Sequence, residues 1–263
     1  MGGWGLLVGI AVMAGAVLDA RAQVADSPCG STPTITGRVA RVIDGRSFAL
    51  DDEREVRIAA LEVPTIGMAG SAAKDFLRNL LLGQTVQLRA AGAPDRYGRI
   101  VAHVYRNDAA PSGPSAAHLM LAKGHGRVGA QVGHAACALD LLSQERVARS
   151  RRLGLWADPD YAILEAGNLA GLVTAQGRFA LVQGKVLSVR ESRGTIFVNF
   201  GRRWTQALTV TISKRQERMF IGAGLAPKML EHRDVRVRGW VEVRNGPRIE
   251  ASRPEQIEMA RLN

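Results

Sequence analysis

Apolar and polar residues alternate along much of this chain, which is the pattern of β-strands with one buried face. Between Thr36 and Leu61 the segments GRVARVIDG, RSFAL and EVRIAALEV either alternate or run apolar. We interpret them as a three-stranded antiparallel meander. The dipeptide Asp44-Gly45 is typical of the first tight turn, where glycine would supply a positive φ.

Helical spacing of apolar residues interrupts this pattern three times. The first helix is predicted from an N-cap at Ser71 to a stop at Gly83, with leucines along one face. A shorter helix ends at Gly124, and a longer amphipathic helix spans Cys137 to Trp156. Because the strands are followed by short helices without regular strand–helix alternation, the pattern indicates a small barrel rather than a doubly wound sheet.

A second strand-rich pattern begins at Arg178. It contains five candidate strands, and a helical insertion from Lys214 to Leu230 separates the third strand from the fourth. This is the strand order of an OB-fold, a barrel that commonly binds single-stranded nucleic acid or oligosaccharide. We therefore predict a mainly β protein with short helices and two OB-type barrels.

These patterns divide the chain into five parts. We predict a signal peptide, a short mature N-terminal segment, a first barrel domain, a linker and a basic second barrel domain. The linker starts at the helix-breaking sequence Asp158-Pro159-Asp160. In chain order the five parts cover residues 1–22, 23–35, 36–157, 158–177 and 178–263.

The N-terminal segment has the features of an export signal. An apolar run extends from Leu6 to Leu18, and Ala20-Arg21-Ala22 is a small-x-small cleavage site, although no positively charged residue precedes the run. The run is shorter than the roughly 20 residues that span a membrane. We predict cleavage near Ala22, a periplasmic or secreted product and no transmembrane segment in the mature chain; an uncleaved anchor is the alternative.

The net charge and its distribution along the chain indicate which class of partner the protein binds. The chain has 263 residues, a formal net charge of +11, 46% hydrophobic residues and 22% charged residues, which excludes wholesale disorder. From Gln176 to Asn263 there are 17 Lys and Arg residues against 8 Asp and Glu residues, so +9 of the +11 lies in the last third. This asymmetry favours an anionic partner such as nucleic acid, an acidic polymer or a membrane surface.

The two cysteines fit an exported protein. Cys29 and Cys137 could form one disulfide in an oxidising compartment, or remain as two separate thiols. The five histidines show no ligand spacing around the cysteines, so the sequence does not support a zinc site.

The first barrel segment resembles the staphylococcal nuclease (thermonuclease) family from about Thr36 to Trp156. The resemblance rests on VIDGRS, VRIAALEVPT, AAKDFLRNLL, PDRYGRIVAHVY and ERVARSRRLGLW, in that order. It implies an OB-type barrel with three helices and calcium-dependent hydrolysis of phosphodiesters in DNA and RNA. In that family calcium and two arginines bind the phosphate, and a glutamate serves as or positions the base.

Part of the family's site is present. By resemblance, Arg57 and Arg99 match the two phosphate-binding arginines, and Asp95 and Tyr97 match the neighbours of the second. Asp44 matches the first aspartate of the family's Asp-Gly-Asp-Thr turn.

The other positions of the site differ from the family. Arg46 stands where the family has a calcium-ligating aspartate, and Ser47 where it has a threonine. Glu62 replaces another ligating aspartate, and Thr65 replaces the catalytic glutamate. Asp44 and Glu62 would thus be the remnants of a calcium site.

These differences from the family change the charge at the calcium position and remove the side chain that would accept a proton. Calcium takes about 6–8 oxygen ligands, commonly including carboxylates, and a guanidinium in place of one of them changes the local charge by two units. Thr65 cannot accept a proton near neutral pH. Arg46 could complete a metal-free phosphate cradle with Arg57 and Arg99, or could pair with a remaining carboxylate and close the vacated site.

The second barrel segment has its own candidates. Aromatic side chains next to arginines suit base stacking combined with phosphate neutralisation. The candidate binding residues here are Arg202, Arg203 and Trp204. Phe197 is expected in the core, while Arg236 and Arg238 form either a binding stripe or a solvated strand face.

The leading hypothesis is therefore an exported protein that binds nucleic acid or another phosphate-rich polyanion, with the family's hydrolysis lost or weakened and no cofactor. One alternative is an active endonuclease, dependent on Ca²⁺, in which Asp44, Glu62 and a further acidic residue rebuild the metal site. The other is an envelope module that binds protein or glycan.

Overall fold

The computed structural model describes residues 29–30, 34–108 and 113–260. The predicted signal peptide, 1–22, and most of the segment 23–35 lie outside the described residues. Within the described ranges, no helix is long and apolar enough to cross a membrane.

The N-terminal region is a closed five-stranded barrel with helices packed against it. Its elements are β1 Thr34–Val42, β2 Ser47–Leu50, β3 Glu55–Ile58, β4 Leu61–Glu62, α1 Gly67–Leu81, β5 Thr85–Ala90, β6 Ile100–Arg106, α2 Ala116–Ala122, β7 Arg127–Val128 and α3 Ala135–Ser150. The barrel order is β1-β2-β3-β6-β5, while β4 and β7 form a separate two-stranded ribbon. The barrel ladders are antiparallel except for the parallel β3–β6 pair.

This architecture confirms the predicted mainly β fold with an OB-type first barrel. The meander arises because alternate residues of β1 to β3 face the interior, where Phe48, Leu50 and Val56 are fully buried. The helix α1 begins at Gly67 rather than at the predicted Ser71, and its Leu77 and Leu81 pack into the same core. The strands of the first barrel thus largely follow the alternation of apolar and polar residues along the sequence.

The C-terminal region is an eight-stranded sheet with two short helices. Its elements are β8 Leu164–Glu165, α4 Leu169–Thr174, β9 Phe179–Lys185, β10 Ser188–Ser192, β11 Thr195–Asn199, β12 Thr209–Ser213, α5 Glu217–Gly222, β13 Asp234–Val243, β14 Pro247–Glu250 and β15 Ile257–Met259. The strand order is β10-β11-β12-β14-β13-β9-β8, and β15 pairs with β13 beside this path.

The predicted second closed barrel is not shown by this pairing. The chain from β9 to β10 bends at Val186 and Leu187, whose N–H groups donate to Arg233 and Asn199 on opposite sides. However, β9 pairs with β13 on one edge and with β8 on the other. β8 thus occupies the second edge of β9, and the hydrogen-bonded path among the described strands runs from β10 to β8 without a closing pair.

The segment 158–177, predicted as a linker, is folded onto the C-terminal region. It contributes β8, which pairs in parallel with β9, and α4, whose Leu172 is fully buried in the second core. Local composition suggested a linker because Asp158-Pro159-Asp160 breaks the preceding helix, but the burial of the following apolar residues depends on contacts with β9.

A disulfide joins Cys29 to Cys137 on α3, across 108 positions of the chain. The carbonyl of Cys29 accepts a hydrogen bond from the Tyr105 hydroxyl at 2.9 Å, so Cys29 is held against β6. Burial lowers the pKa of the adjacent His103 to about 4. This ring is therefore neutral at physiological pH and packs beside the disulfide as an uncharged group.

A buried ion cluster connects the two regions. Arg238 of β13 is 1% exposed, and its guanidinium makes two hydrogen bonds to Glu145 of α3, at 2.8 and 3.0 Å. It also pairs with Glu258 of β15 and donates to the carbonyl of Val128 at 3.1 Å. Arg149 adds a second cation, 3.0 Å from Glu145.

Both roles that the sequence suggested for Arg238, in a binding stripe or on a solvated strand face, are therefore wrong. It is not a solvated strand residue or part of a surface stripe, because α3 of the first region covers this face of β13. Burial lowers the pKa of Arg238, but attraction by Glu145 and Glu258 outweighs that effect and raises it overall. Arg236, two residues earlier, is half-buried and donates to Gln183 at 3.0 Å.

Removing Arg238 is expected to destabilise the protein strongly. In Arg238→Met two buried carboxylates lose their shared partner, and we expect about 3–5 kcal/mol lower free energy of unfolding in urea at pH 7. Lys228→Met is the control, since Lys228 pairs with Glu231 at the surface and should change stability by less than about 0.5 kcal/mol. Similar values for both variants would contradict a supporting role for the buried cluster.

Acid should also weaken the cluster through Glu258. Burial raises the pKa of Glu258, but the attraction of Arg238 and Arg149 prevails and lowers it from its usual 4.5 to about 2. A lowered folded-state pKa gives stability that is present above about pH 4.5 and is lost as pH falls towards 2. Between pH 6 and pH 2.5 the wild-type protein should therefore lose about 2–3 kcal/mol from this group, a loss that is absent in Glu258→Gln.

Candidate functional site

The turn between β1 and β2 presents Arg46 at the mouth of the barrel. A carboxylate oxygen of Asp44 accepts the Arg46 N–H at 2.8 Å, which fixes the turn. Gly45 does not have the positive φ that the sequence suggested. Glycine is needed there for another reason, because a Cβ atom at this position would lie 2.8 Å from the Cβ of Ala73 on α1.

Barrel pairing brings the three candidate arginines together. Arg46 directly precedes β2, Arg57 lies on β3 opposite Ser47, and Arg99 directly precedes β6. Strand β3 pairs with β2 on one edge and with β6 on the other. Three residues separated by up to 53 positions therefore lie at one end of three adjacent strands.

Glu62 on β4 lies between two of these arginines. One of its oxygens pairs with Nη1 of Arg46, which also donates to the carbonyl of Leu61 at 3.2 Å. The other oxygen is 3.5 Å from Nη2 of Arg57. Burial lowers the pKa of Arg57, and repulsion by Arg46 lowers it further. The pairing of Arg46 with Glu62 corresponds to the closed-site alternative of the sequence analysis.

Arg99 has a separate carboxylate partner. Its Nε and Nη2 atoms lie 2.8 and 2.7 Å from the same oxygen of Asp95, whose other oxygen accepts the N–H of Tyr97 at 2.9 Å. The guanidinium carbon is 5.0 Å from the ring centroid of Tyr97, which is 65% exposed. The PDRYGR segment thus forms a compact turn that orients one arginine and leaves one aromatic ring in solvent.

Arg46 and Glu62 line a cleft of about 570 Å³ together with Thr65. A threonine hydroxyl cannot take up a proton near neutral pH, so no general base stands at this position. Two other carboxylates, Asp158 and Asp160, lie on the opposite wall. One oxygen of Asp158 already accepts the Asp160 N–H at 2.9 Å.

The opposite wall comes from the C-terminal region and was missed by sequence reasoning. Its side chains include Tyr161, Arg178, Phe179 and Trp240. Trp240 also borders an adjoining cleft of about 350 Å³ that contains Arg57 and Asp95. The alternation of β13 in the sequence could have marked Trp240 as outward-facing, but its place in the same cleft as Arg57 depends on how the regions pack.

Arg127 holds this wall in place. Its guanidinium donates to the carbonyl of Phe179 at 2.8 Å and to that of Tyr161 at 2.6 Å. Burial lowers the pKa of Arg127 to about 10, so the side chain remains charged at neutral pH. The two regions therefore form one composite site rather than two separate surfaces.

The residues present do not fit a calcium ion. Asp44 supports the turn, both oxygens of Glu62 face guanidinium groups, and Asp95 is taken by Arg99. The three arginines and three carboxylates of this site sum to a formal charge of zero. Among the described residues, the group of three potential ligands close enough for one metal ion is Cys29, His103 and Cys137, in which both sulfurs form the disulfide.

The candidates of the C-terminal region lie at a second location. Arg202 and Trp204 line a cleft of about 880 Å³, and Trp204 is 55% exposed. Arg203 is exposed but is not part of this lining. Phe197, which we expected in the core, is half-buried and lines the cleft, because it is on the strand face opposite the buried Ile196 and Val198.

A serine–histidine–aspartate arrangement also appears that the sequence did not suggest. Ser115 Oγ is 2.7 Å from Nδ1 of His118, whose Nε2 is 2.8 Å from Asp140. Ser115 is completely buried and caps the first turn of α2. A serine without access to solvent cannot attack a substrate, so this arrangement serves the helix terminus.

Comparison with known proteins gives consistent matches to nucleases. Residues 58–158 match the family described as staphylococcal nuclease homologue. An uncharacterized endonuclease of Escherichia coli is 33% identical over 130 residues, which cover 48% of this chain and 80% of the relative. A micrococcal nuclease of Shigella flexneri is 33% identical over 132 residues, which cover 47% and 75%.

The family match extends over Glu62, Thr65 and Arg99, whereas Arg57 directly precedes it and Arg46 lies 12 residues before its start. The C-terminal sheet lies beyond it. The family match agrees with the closed five-stranded barrel and with the presence of Arg57 and Arg99 at its end. This chain belongs to the staphylococcal nuclease family.

Proposed function

We propose that this protein binds nucleic acid or another phosphate-rich polyanion, and that the calcium-dependent hydrolysis expected of the family is lost or severely weakened. The observation that carries this proposal is the position of Glu62. Its two oxygens face Arg46 and Arg57, so the carboxylate that would help to hold a metal ion instead neutralises guanidinium groups.

The argument against metal binding is electrostatic. A calcium ion entering here would have to displace Arg46 from a pair in which both side chains are more than four-fifths buried. Breaking a buried pair costs several kcal/mol because it leaves a charge without a partner. The ion would also be repelled by the displaced guanidinium, which remains covalently tied to the turn.

The argument against hydrolysis is the missing base. Thr65 lines the cleft at the position that the family resemblance assigns to a glutamate. Loss of a single charge-stabilising group already lowers enzymatic rates by about 10²–10³. Loss of the metal site and of the base together should reduce the rate much further.

The anion-binding half is retained. Arg57 keeps 28% of its side chain exposed, and its contact with Glu62 is long at 3.5 Å, so it can turn towards a phosphate. A guanidinium presents two parallel N–H donors that match phosphate oxygens. Trp240, which is 49% exposed, lines the same cleft as Arg57 and adds an aromatic surface to it.

One observation favours the alternative of an active endonuclease. Asp158 and Asp160 line the same cleft as Glu62 and Thr65, and could supply the acidic side chains that the barrel lacks. The relatives named above as nucleases point in the same direction. Cleavage assays separate this alternative from simple binding, and a failure to bind any nucleic acid would favour a protein or glycan partner.

We further propose that the protein is exported to the periplasm or secreted. The disulfide between Cys29 and Cys137 supports this proposal, because such bonds persist in oxidising compartments and are rare in the cytosol. The apolar segment before residue 23 is of a length suited to a cleavable signal.

Digestion of plasmid DNA and RNA tests the loss of hydrolysis. We expect the wild-type protein to show the same negligible cleavage with calcium as with EDTA. In Arg46→Asp combined with Thr65→Glu the cation is removed and two carboxylates are restored, so some calcium-dependent cleavage should appear. Robust wild-type cleavage that EDTA and Glu62→Gln both abolish would overturn the proposal.

Binding to a labelled 20-base-pair DNA duplex at low salt tests the anion site, since phosphates are the groups that a duplex exposes most. Arg57→Ala and Arg99→Ala should each raise Kd about 10- to 150-fold, because a charge-assisted contact contributes roughly 1.5–3 kcal/mol. Arg54→Ala is the control, since Arg54 pairs with Asp52 on the exposed β2–β3 turn. Equal Kd values for all three variants would place duplex binding elsewhere on the protein.

A further inference from the structure

A cleft of the C-terminal region lies on the outer face of its sheet. Along β10, β11, β12 and β14 one set of alternate residues, including Val198, Val210 and Ile249, is buried in the second core. The other set faces outwards into a cleft of about 880 Å³. The lining of this cleft therefore follows from the pleat of four paired strands.

Strand register places unlike side chains next to one another in two rows. In the first row Arg190 of β10 pairs with Phe197 of β11, which pairs with Thr211 of β12. In the second row Asn199 of β11 pairs with Thr209, which pairs with Arg248 of β14. The ring of Phe197 thus lies between the guanidinium of Arg190 and the hydroxyl of Thr211, and the second row places further polar side chains next to this one.

Two loops close one end of the cleft. The β11–β12 connection carries Arg202 and Trp204, and the β13–β14 turn carries Arg244 and Gly246. Gly246 has φ +155°, and a Cβ atom there would lie 2.3 Å from the carbonyl oxygen of Trp204. The absence of a side chain at Gly246 allows the loops to touch and fixes the position of Trp204.

The side chains that line the cleft carry a net positive charge. Its lining contains four arginines, Arg190, Arg202, Arg244 and Arg248, and no aspartate or glutamate. Arg248 and Arg244 share Glu242 at 2.8 and 3.4 Å. Arg190 and Arg202 have no carboxylate partner among the residues that the structure describes. At least two guanidinium groups are therefore available to an anionic ligand.

We propose that this cleft is a second binding site, specific for single-stranded nucleic acid, with bases stacked on Phe197 and Trp204 and phosphates held by Arg190 and Arg202. Aromatic surfaces beside unpaired cations match unpaired bases joined by phosphates. A duplex would offer its phosphates but not the faces of its bases. The inference rests on the proposed function only in taking nucleic acid as the partner.

The test uses the full chain and labelled oligothymidylate of about 15 nucleotides, with fluorescence anisotropy as the measurement. Trp204→Ala should raise Kd about 5- to 150-fold, because stacking of one base contributes roughly 1–3 kcal/mol. Trp204→Phe should retain most of the affinity, since it keeps an aromatic face. Arg190→Ala and Arg202→Ala should each lower the slope of log K against log salt by about 0.7.

Matched controls separate this site from the first. Met229→Ala removes an exposed apolar side chain and Arg218→Ala removes an exposed cation, and neither residue lines either cleft. Both should leave the single-strand affinity within about twofold of the wild type. The 20-base-pair duplex should compete weakly against oligothymidylate for the wild-type protein, and its own Kd should be unchanged by Trp204→Ala.

The outcomes distinguish this inference from the proposed function. If Trp204→Ala and Trp204→Phe weaken binding equally, or if duplex competes as well as single strand, the second site is refuted while duplex binding at Arg57 and Arg99 can stand. Displacement of oligothymidylate by a sulfated glycan at lower concentration would also refute it. Calcium-dependent cleavage with a retained Trp204 effect would instead refute the loss of hydrolysis and support the second site.

Discussion

Arg238 is the only cation of β13 that is fully enclosed, and the arrangement of the two regions depends on its contacts. It bonds to Glu145 on a helix of the barrel and to Glu258 on a strand of the C-terminal sheet. A buried charge that loses its partners costs several kcal/mol, so the two regions cannot separate without exposing or stranding these groups. The cluster therefore adds a set of directional contacts between the two regions.

That position determines the composition of the site. Trp240 follows Arg238 by two residues, and its side chain emerges on the same side of β13. With Arg238 anchored against α3, Trp240 lies at the boundary between the clefts that contain Arg46 and Arg57. A barrel of this family thus shares its site with a region that the family match does not cover.

Within the site, small changes in side-chain charge have large consequences because the groups are close and partly buried. Arg46 and Glu62 form a neutral ion pair at the two positions where the family resemblance would place ligands of a calcium ion. Family membership accounts for the barrel and the arginines, whereas the chemistry depends on two or three individual positions. The C-terminal cleft, in contrast, keeps an excess of positive charge beside the half-buried ring of Phe197 and the exposed ring of Trp204.

The sequence by itself determined the strands of the first barrel, because their alternation records which face is buried, and it marked Arg57 and Arg99 through the motifs around them. It also showed that Thr65 cannot be a base, which is a property of the residue alone. Only the tertiary structure decided what covers each strand face. Alternation shows that β13 and β11 each have two faces, but it does not show what packs against each face. Both interpretations of Arg238, a binding stripe and a solvated strand face, were therefore wrong, and Phe197 was wrongly expected in the core. Position 45 requires glycine because α1 passes close to it. The segment 158–177 is folded because its strand β8 pairs with a free edge of β9. These outcomes depend on contacts between residues far apart in the chain, and local patterns do not contain them.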